Sequence, residues 1–328
     1  MEDFNYLYLT IESLAEKLTP KDLKAASEDL SFRYRENREK GVSFIHSEAA
    51  ALAYLVARFP ATLAVIEQVL TEFSKRISLI DIESVLDLGA GPGSGFWAVH
   101  KVLTSHGAVS NLKKITLIEK ESRFIALGRQ ILKEHASSLQ IQPQWRQEDF
   151  SKLQGFESHD LVLLSYSFGE ILPNAREELV AKAWQASAKI LVIIEPGTPF
   201  GFERIRTARK QLLELGAHLV APCPHSGCCP MKEGDWCHFS KRLDRSRLHR
   251  FVKNAEKNFE DEKFSYLVVS KQPSSLPAGR ILRHPLKHQG HVSLVLCSSD
   301  QTLKQRIISR KDKELFRKAR KAQWGEEI

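Results

Sequence analysis

Two hydrophobic rhythms divide the chain. Over the first eighty residues apolar positions recur at helical spacing, through Ala50, Leu52, Leu55 and Val56 and then Leu63, Ile66, Val69, Leu70 and Phe73. The punctuation agrees. Thr19-Pro20-Lys21-Asp22 has the order of a helix start, with Thr19 as N-cap and Pro20 at the first helical position. Ser47 is placed to cap the next helix, which must end or kink before Pro60. From about Ser84 the rhythm changes to short apolar runs between helical segments: Val85 to Leu88, Ile115 to Ile118, Leu161 to Leu164 and Ile190 to Ile194. Strands buried on both faces read this way, and their alternation with helices predicts a parallel sheet in a doubly wound α/β domain. Phe264 to Ser270 and Val292 to Cys297 are expected to complete that sheet, and Arg306 to Lys321 to form a basic helical tail. The expected organisation is a helical N-terminal domain over 1–80 and an α/β domain over 81–328, with a cysteine-rich insertion at 221–240 and a basic region at 279–328.

Composition adds little to the fold and more to the partners. The 328 residues are 42% hydrophobic and 27% charged, a globular balance. The net charge of +8 is concentrated in residues 241–328, which carry 21 Lys and Arg against 10 Asp and Glu. One-sided excess of this kind points to a polyanionic partner. A second mixed basic and aromatic stretch, Arg33 to Arg38, reads as a solvated helix face or an RNA contact. The N-terminus is acidic where a secretory or mitochondrial leader is basic, and no apolar run approaches the ~18 residues of a membrane span. A cytoplasmic protein without a membrane partner is expected.

The glycine loop carries the first chemistry. Asp87-Leu88-Gly89-Ala90-Gly91-Pro92-Gly93-Ser94-Gly95 lies where the first strand turns into a helix, and glycine lets backbone approach a ligand closely. The nicotinamide fingerprint needs its third glycine three residues after the second, but Gly93 follows Gly91 by two. The loop, with Asp87 two positions before the first glycine, resembles the first motif of class I S-adenosylmethionine-dependent methyltransferases. That resemblance implies that the loop packs against the methionine portion and that Asp87 orients its ammonium group. It makes Glu119, which ends the second apolar run, the acceptor for the ribose hydroxyls. Asp149, after a third strand from Gln144 to Glu148, would meet the adenine amine. The Asn/Asp-Pro-Pro-aromatic turn of amine methyltransferases is replaced by Ser165-Tyr166-Ser167-Phe168-Gly169-Glu170. Glu170 can accept a proton or simply begin the following helix, so no catalytic residue is assigned.

Four of the five cysteines fall between Cys223 and Cys237. An odd count, clustered in this way, argues for thiolates kept reduced for metal binding or catalysis rather than for a disulfide framework. Cys223, Cys229 and Cys237 supply three ligands, Cys297 at the end of the last expected strand a fourth, with Cys228 as a spare and His225 and His238 as alternatives. Zinc and iron–sulfur clusters both accept four thiolates, which leaves the two open.

Several phrases together are similar to a known family. Ala53-Tyr54-Leu55-Val56-Ala57-Arg58-Phe59-Pro60-Ala61-Thr62, Glu195-Pro196-Gly197, the Cys223 to Phe239 segment, Arg280 to Lys287 and the closing Trp324-Gly325 resemble the methyltransferase-like small-ribosomal-subunit assembly factors, which have mitochondrial and bacterial members. The resemblance implies a Rossmann-like fold that binds S-adenosylmethionine, small-subunit ribosomal RNA and the immature small subunit. It also implies a 4Fe-4S cluster on Cys223, Cys229, Cys237 and Cys297. With no visible presequence, a bacterial-type member is expected. An active ribosomal RNA methyltransferase is the alternative to an assembly factor. RNA contacts are expected at Arg280, Arg283 and Lys287 in the loop before the last strand, and at Arg317, Lys318, Arg320 and Lys321 in the tail.

Overall fold

The computed structural model describes residues 5–36 and 45–328, so the mixed stretch from Tyr34 to Arg38 lies outside the described side chains. Four helices come first: α1 (Asn5–Ala15), α2 (Pro20–Glu36), α3 (Glu48–Ala57) and α4 (Phe59–Ser74). Their ends follow local chemistry. The Thr19 hydroxyl accepts from the Asp22 N–H at 3.2 Å, and Ser47 accepts from the Ala50 N–H at 3.1 Å. Between α3 and α4 the chain bends by 45° at Arg58. Pro60 sits in the first turn of α4, where its missing N–H has no helical partner to disappoint.

The sheet follows, from β1 (Ser84–Leu88), β2 (Lys114–Glu119), β3 (Gln144–Gln147), β4 (His159–Ser165), β5 (Ser187–Pro196), β6 (His218–Ala221) and β7 (Phe239–Asp244) to β8 (Phe259–Ser270). Its order is β3-β2-β1-β4-β5-β8-β6, and β7 also pairs with β8. The first five strands are parallel, whereas β8 runs antiparallel to β5, β6 and β7. This is a doubly wound, Rossmann-like α/β order with antiparallel strands added beyond β5. Alternate residues feed two cores. Leu86, Leu88, Val162, Leu164, Leu191 and Ile193 pack with α7 (Arg176–Ala186) and α8 (Pro199–Glu214). Val85, Ile115, Leu161, Leu163, Val192 and Ile194 pack on the other face with α3, α4, α5 (Ser94–Ser105) and α6 (Ser122–Glu134). The N-terminal helices therefore share the core of the sheet rather than enclosing one of their own.

After the short α9 (Arg247–Val252), the last fifty residues build a second sheet from β9 (Gly279–Ile281), β10 (Leu286–Lys287), β11 (His291–Ser298) and β12 (Leu303–Ser309), closed by α10 (Lys313–Lys321). Two expectations are corrected here. Val292 to Cys297 is a strand, but it pairs with β9, β10 and β12 and does not complete the main sheet. The basic tail is strand first and helix second, because Leu303 to Ser309 pairs with β11 from His291 to Cys297. Leu315, Phe316, Ala319 and Ala322 dock on the second sheet and leave the basic side of α10 exposed. No single helix among the described residues is long and apolar enough to cross a membrane.

Candidate cofactor cleft and four-cysteine cavity

The carboxyl ends of the parallel strands open into a cleft of about 1610 Å³, its mouth included, where α/β sheets generally bind ligands. Gly89, Gly91, Glu119, Lys120, Phe150, Ser165, Tyr166, Ser167 and Glu170 line the sheet side, while Ser27 and Leu30 of α2, Tyr54 of α3, Arg58 at the bend and Thr62 of α4 cover it. Gly91 takes φ +55°, and nothing lies within 4 Å of where its Cβ would stand, so the loop presents bare backbone to the cleft. Its N–H donates to Glu119 Oε2 at 2.9 Å, and the Glu121 N–H donates to Oε1 at 2.8 Å. Glu119 is thereby fixed at the end of β2, although burial still raises its pKa.

Asp87 is buried against the start of α5. A Cβ on Gly95 would stand 2.1 Å from its Oδ2, so only glycine leaves the carboxyl its room. Neither carboxyl oxygen has a hydrogen-bond partner among the described residues. Burial first, and the neighbouring Glu119 second, push Asp87 up to about 7. A buried acid with two idle acceptors suits a cationic donor such as an ammonium group. Gly93 caps α5 at φ +95° and faces the Trp145 ring. Asp149 stands apart from the cleft lining, as Asp87 and Gly93 also do. It caps a short 3₁₀ turn, accepting from the Ser151 N–H at 3.1 Å and the Ser151 hydroxyl at 2.6 Å.

The cleft also contains residues to which the motif reading assigned no role. Arg58 donates to both Glu262 oxygens, at 3.0 and 2.9 Å, and lies 5.7 Å from the Tyr166 ring centroid. Tyr166, at φ +58°, donates to the same carboxylate at 3.4 Å. Arg58 stood in plain view within the Ala53 to Thr62 phrase, but its partner is 204 residues away and local pattern cannot supply that pairing. Glu170 lies 3.5 Å from Lys120, and burial lifts it to about 7. Behind it, Glu195 is fully buried, also lifted to about 7 by burial, and pairs with Arg204 at 2.8 Å.

The second cavity draws on three separated segments. Cys223 and Cys229 come from the loop after β6, Cys237 from just before β7 and Cys297 from β11; all four line one cavity. They are near enough for charge on one to act on another in every pairing among the four. Burial raises Cys229, carries Cys237 well above the ordinary thiol value and pushes Cys297 up to about 12. Cys297 Sγ lies 3.5 Å from His225 Nε2. Cys228 is exposed and outside the lining, and His238 stacks on Trp236 instead. No three His, Cys, Asp or Glu among the described residues are spaced to grip one metal ion together.

One expected RNA contact is corrected. Arg280 is only 1% exposed. It donates to the Pro222 carbonyl at 2.9 Å, the Gly325 carbonyl at 2.8 Å and Glu72 at 2.6 Å. Its strand pairing, with Arg280 opposite Cys297, turns the guanidinium inward to the cavity wall. Arg283 is half-buried and bonded to Asp235, whereas Lys287, Arg317, Lys318, Arg320 and Lys321 are exposed.

A family model described as mitochondrial small ribosomal subunit Rsm22 matches residues 48–328. The chain is 25% identical over 296 residues to the ribosome assembly protein METTL17, mitochondrial, of Homo sapiens, covering 86% of this chain and 63% of the relative. It is 26% identical over 331 residues to the Rsm22-cox11 tandem protein 2, mitochondrial, of Schizosaccharomyces pombe, covering 85% and 43%. The chain thus spans less than two thirds of these relatives' length. Among solved structures, a SAM-dependent methyltransferase from Aquifex aeolicus superposes with a TM-score of 0.40 at 15% identity, over 68% of this chain and 98% of that one. The expected bacterial-type cytoplasmic location is overturned, since the relatives are named as mitochondrial proteins. The acidic first residues are no guide to a leader when the match covers only part of each relative.

Proposed function

Because the chain belongs to the mitochondrial small ribosomal subunit Rsm22 family, we propose that it is an assembly factor for the small ribosomal subunit, with S-adenosylmethionine in the cleft and ribosomal RNA on its basic C-terminal face. One observation carries this reading: the family match, over residues 48–328, spans the glycine loop, all four cavity cysteines and the basic second sheet. Asp87 would receive the ammonium group, Gly89 and Gly91 would pack against the methionine portion, and Glu119 would accept the ribose hydroxyls. Cys223, Cys229, Cys237 and Cys297 would hold a 4Fe-4S cluster, with zinc as the competing occupant. Such a group, when bound, supplies a compact cross-link between the β6–β7 loop and the second sheet. Four thiols from separated segments line one cavity, Cys297 buried and the other three half-buried, with Cys228 left outside, and that convergence supports the assignment.

A second reading is methyl transfer to ribosomal RNA. It is favoured by Glu170, a cleft carboxyl lifted toward neutrality and able to take a proton from a reacting base. The two readings separate in one experiment. Immature small subunits are incubated with the protein and methyl-labelled S-adenosylmethionine, and RNA binding and label transfer are followed together. An assembly factor binds without transferring label, whereas an enzyme transfers it and loses that activity in Glu170→Gln. Gly91→Leu, which fills the open space over the loop, should abolish S-adenosylmethionine binding by calorimetry while the protein stays folded. Unchanged affinity in that variant would remove the cleft from the proposal.

A further inference from the structure

The guanidiniums on the wall of the cysteine cavity differ in what neutralises them. Arg206 pairs with Glu203 at 2.6 Å and Arg280 with Glu72 at 2.6 Å. Arg209, on α8, has no carboxylate partner among the described residues, although it is only 5% exposed. Its Nη2 donates to the carbonyls of His225 and Gly227 at 2.7 and 2.8 Å, and its Nε has no hydrogen-bond partner among the described residues. A buried cation held by carbonyl dipoles alone is costly, and the protein retains it only where something nearby repays the charge. The other feature of that wall is the set of four cysteines. Four thiolates outnumber the positive charge of a zinc ion or of a cubane core, so the loaded site is anionic.

We propose that Arg209 is the charge-compensating residue of the four-cysteine site, and that its two carbonyl bonds fix the loop from Cys223 to Cys229 in the ligating shape. This rests on the reading that the cysteines hold a metal group. Arg209 stabilises that group in two separable ways, by charge and by loop geometry. Reduction of an iron–sulfur centre adds negative charge, which a neighbouring cation favours, so the reduction potential reports the charge alone.

The test compares wild type, Arg209→Gln, Arg209→Lys and Cys237→Ser, all full-length, prepared and reconstituted anaerobically. Glutamine keeps a donor for the carbonyls and discards the charge; lysine keeps the charge. Arg209→Gln should release its metal to a chelator about tenfold faster than wild type, the order expected for a lost charged hydrogen bond. If the metal is iron, its midpoint potential should fall by about 59 mV, equivalent to a tenfold change for one electron. Arg209→Lys should stay near wild type in potential. Equal release rates and, for iron, equal potentials in Gln and wild type would overturn the proposal while leaving the metal site standing. Equal losses in Gln and Lys, with a lowered melting temperature of the metal-free protein, would reduce Arg209 to a packing role and also overturn it. Wild-type protein that takes up neither iron nor zinc would instead reject the metal reading itself, and the Cys237→Ser control distinguishes specific from adventitious metal.

Discussion

Asp87 shows how one side chain can be at odds with the stability of its own fold. Its carboxyl is buried, without partners, and titrates near 7 instead of near 4. The folded state therefore resists ionising a group that the unfolded chain ionises readily. The resulting penalty is absent below the unfolded pKa, grows from about pH 4 to about pH 7 and is complete above that. At about 1.4 kcal/mol per pKa unit it reaches a few kcal/mol. Asp87→Asn should thus melt at a higher temperature than wild type at pH 8, and the gap should close as pH falls toward 4. The same variant should lose S-adenosylmethionine affinity, since an amide cannot neutralise an ammonium group. Thermal melts across pH and ligand titration check the two halves separately, and a pH-independent melting difference would mean that Asp87 is not the titrating group. An unpartnered acid that costs stability without its ligand is the kind of local conflict expected at a binding site.

The elements divide by how much of their environment is local. The strands β1, β2, β4 and β5 were readable as apolar runs because both faces of a central parallel strand are buried. β7 and β12, with sequences FSKRLD and LKQRIIS, hold no such run. They are peripheral strands with one exposed face, and only their partners make them strands. β11 was readable as a strand, yet its sheet was not, because sheet membership belongs to pairing and not to pattern. The candidate site follows the same division. Gly91 and Glu119 belong to a contiguous motif and could be found, whereas Arg58–Glu262 and Arg280–Glu72 are long-range pairs that no spacing announces. Arg280 is the costly error, since a basic residue in a basic stretch reads as surface. It instead joins α4, the entrance of the cysteine loop and the C-terminal Gly325. Arg280→Met should lower stability by about 1–3 kcal/mol, because the Pro222 and Gly325 carbonyls lose their buried donor, while Glu72 keeps Lys75 at 2.6 Å. Urea unfolding measures this, and a change within about 0.5 kcal/mol would show that the network is replaceable.

The molecule as a whole places its charge on one side of its chemistry. α10 docks its apolar face on the second sheet and leaves Arg317, Lys318 and Lys321 exposed, as Arg306 of β12 also is. That sheet also carries Cys297 on β11, so the cysteine cavity and the basic face share a sheet. If the face binds ribosomal RNA, each phosphate contact releases condensed counterions, and affinity falls steeply with salt. Replacing Arg306, Arg317, Lys318 and Lys321 together by Ala should weaken binding and lower the slope of log affinity against log salt by roughly 3 units, at about 0.7–0.9 per contact. These side chains are exposed, so the melting temperature should scarcely move. Arg280→Met should also weaken RNA binding, but only together with lost stability, because its charge does not reach the surface. Filter binding to small-subunit ribosomal RNA across a salt series separates the two. A slope unchanged in the quadruple variant would mean that the basic face serves only to keep the protein dissolved, and RNA recognition would then have to be sought elsewhere on the molecule.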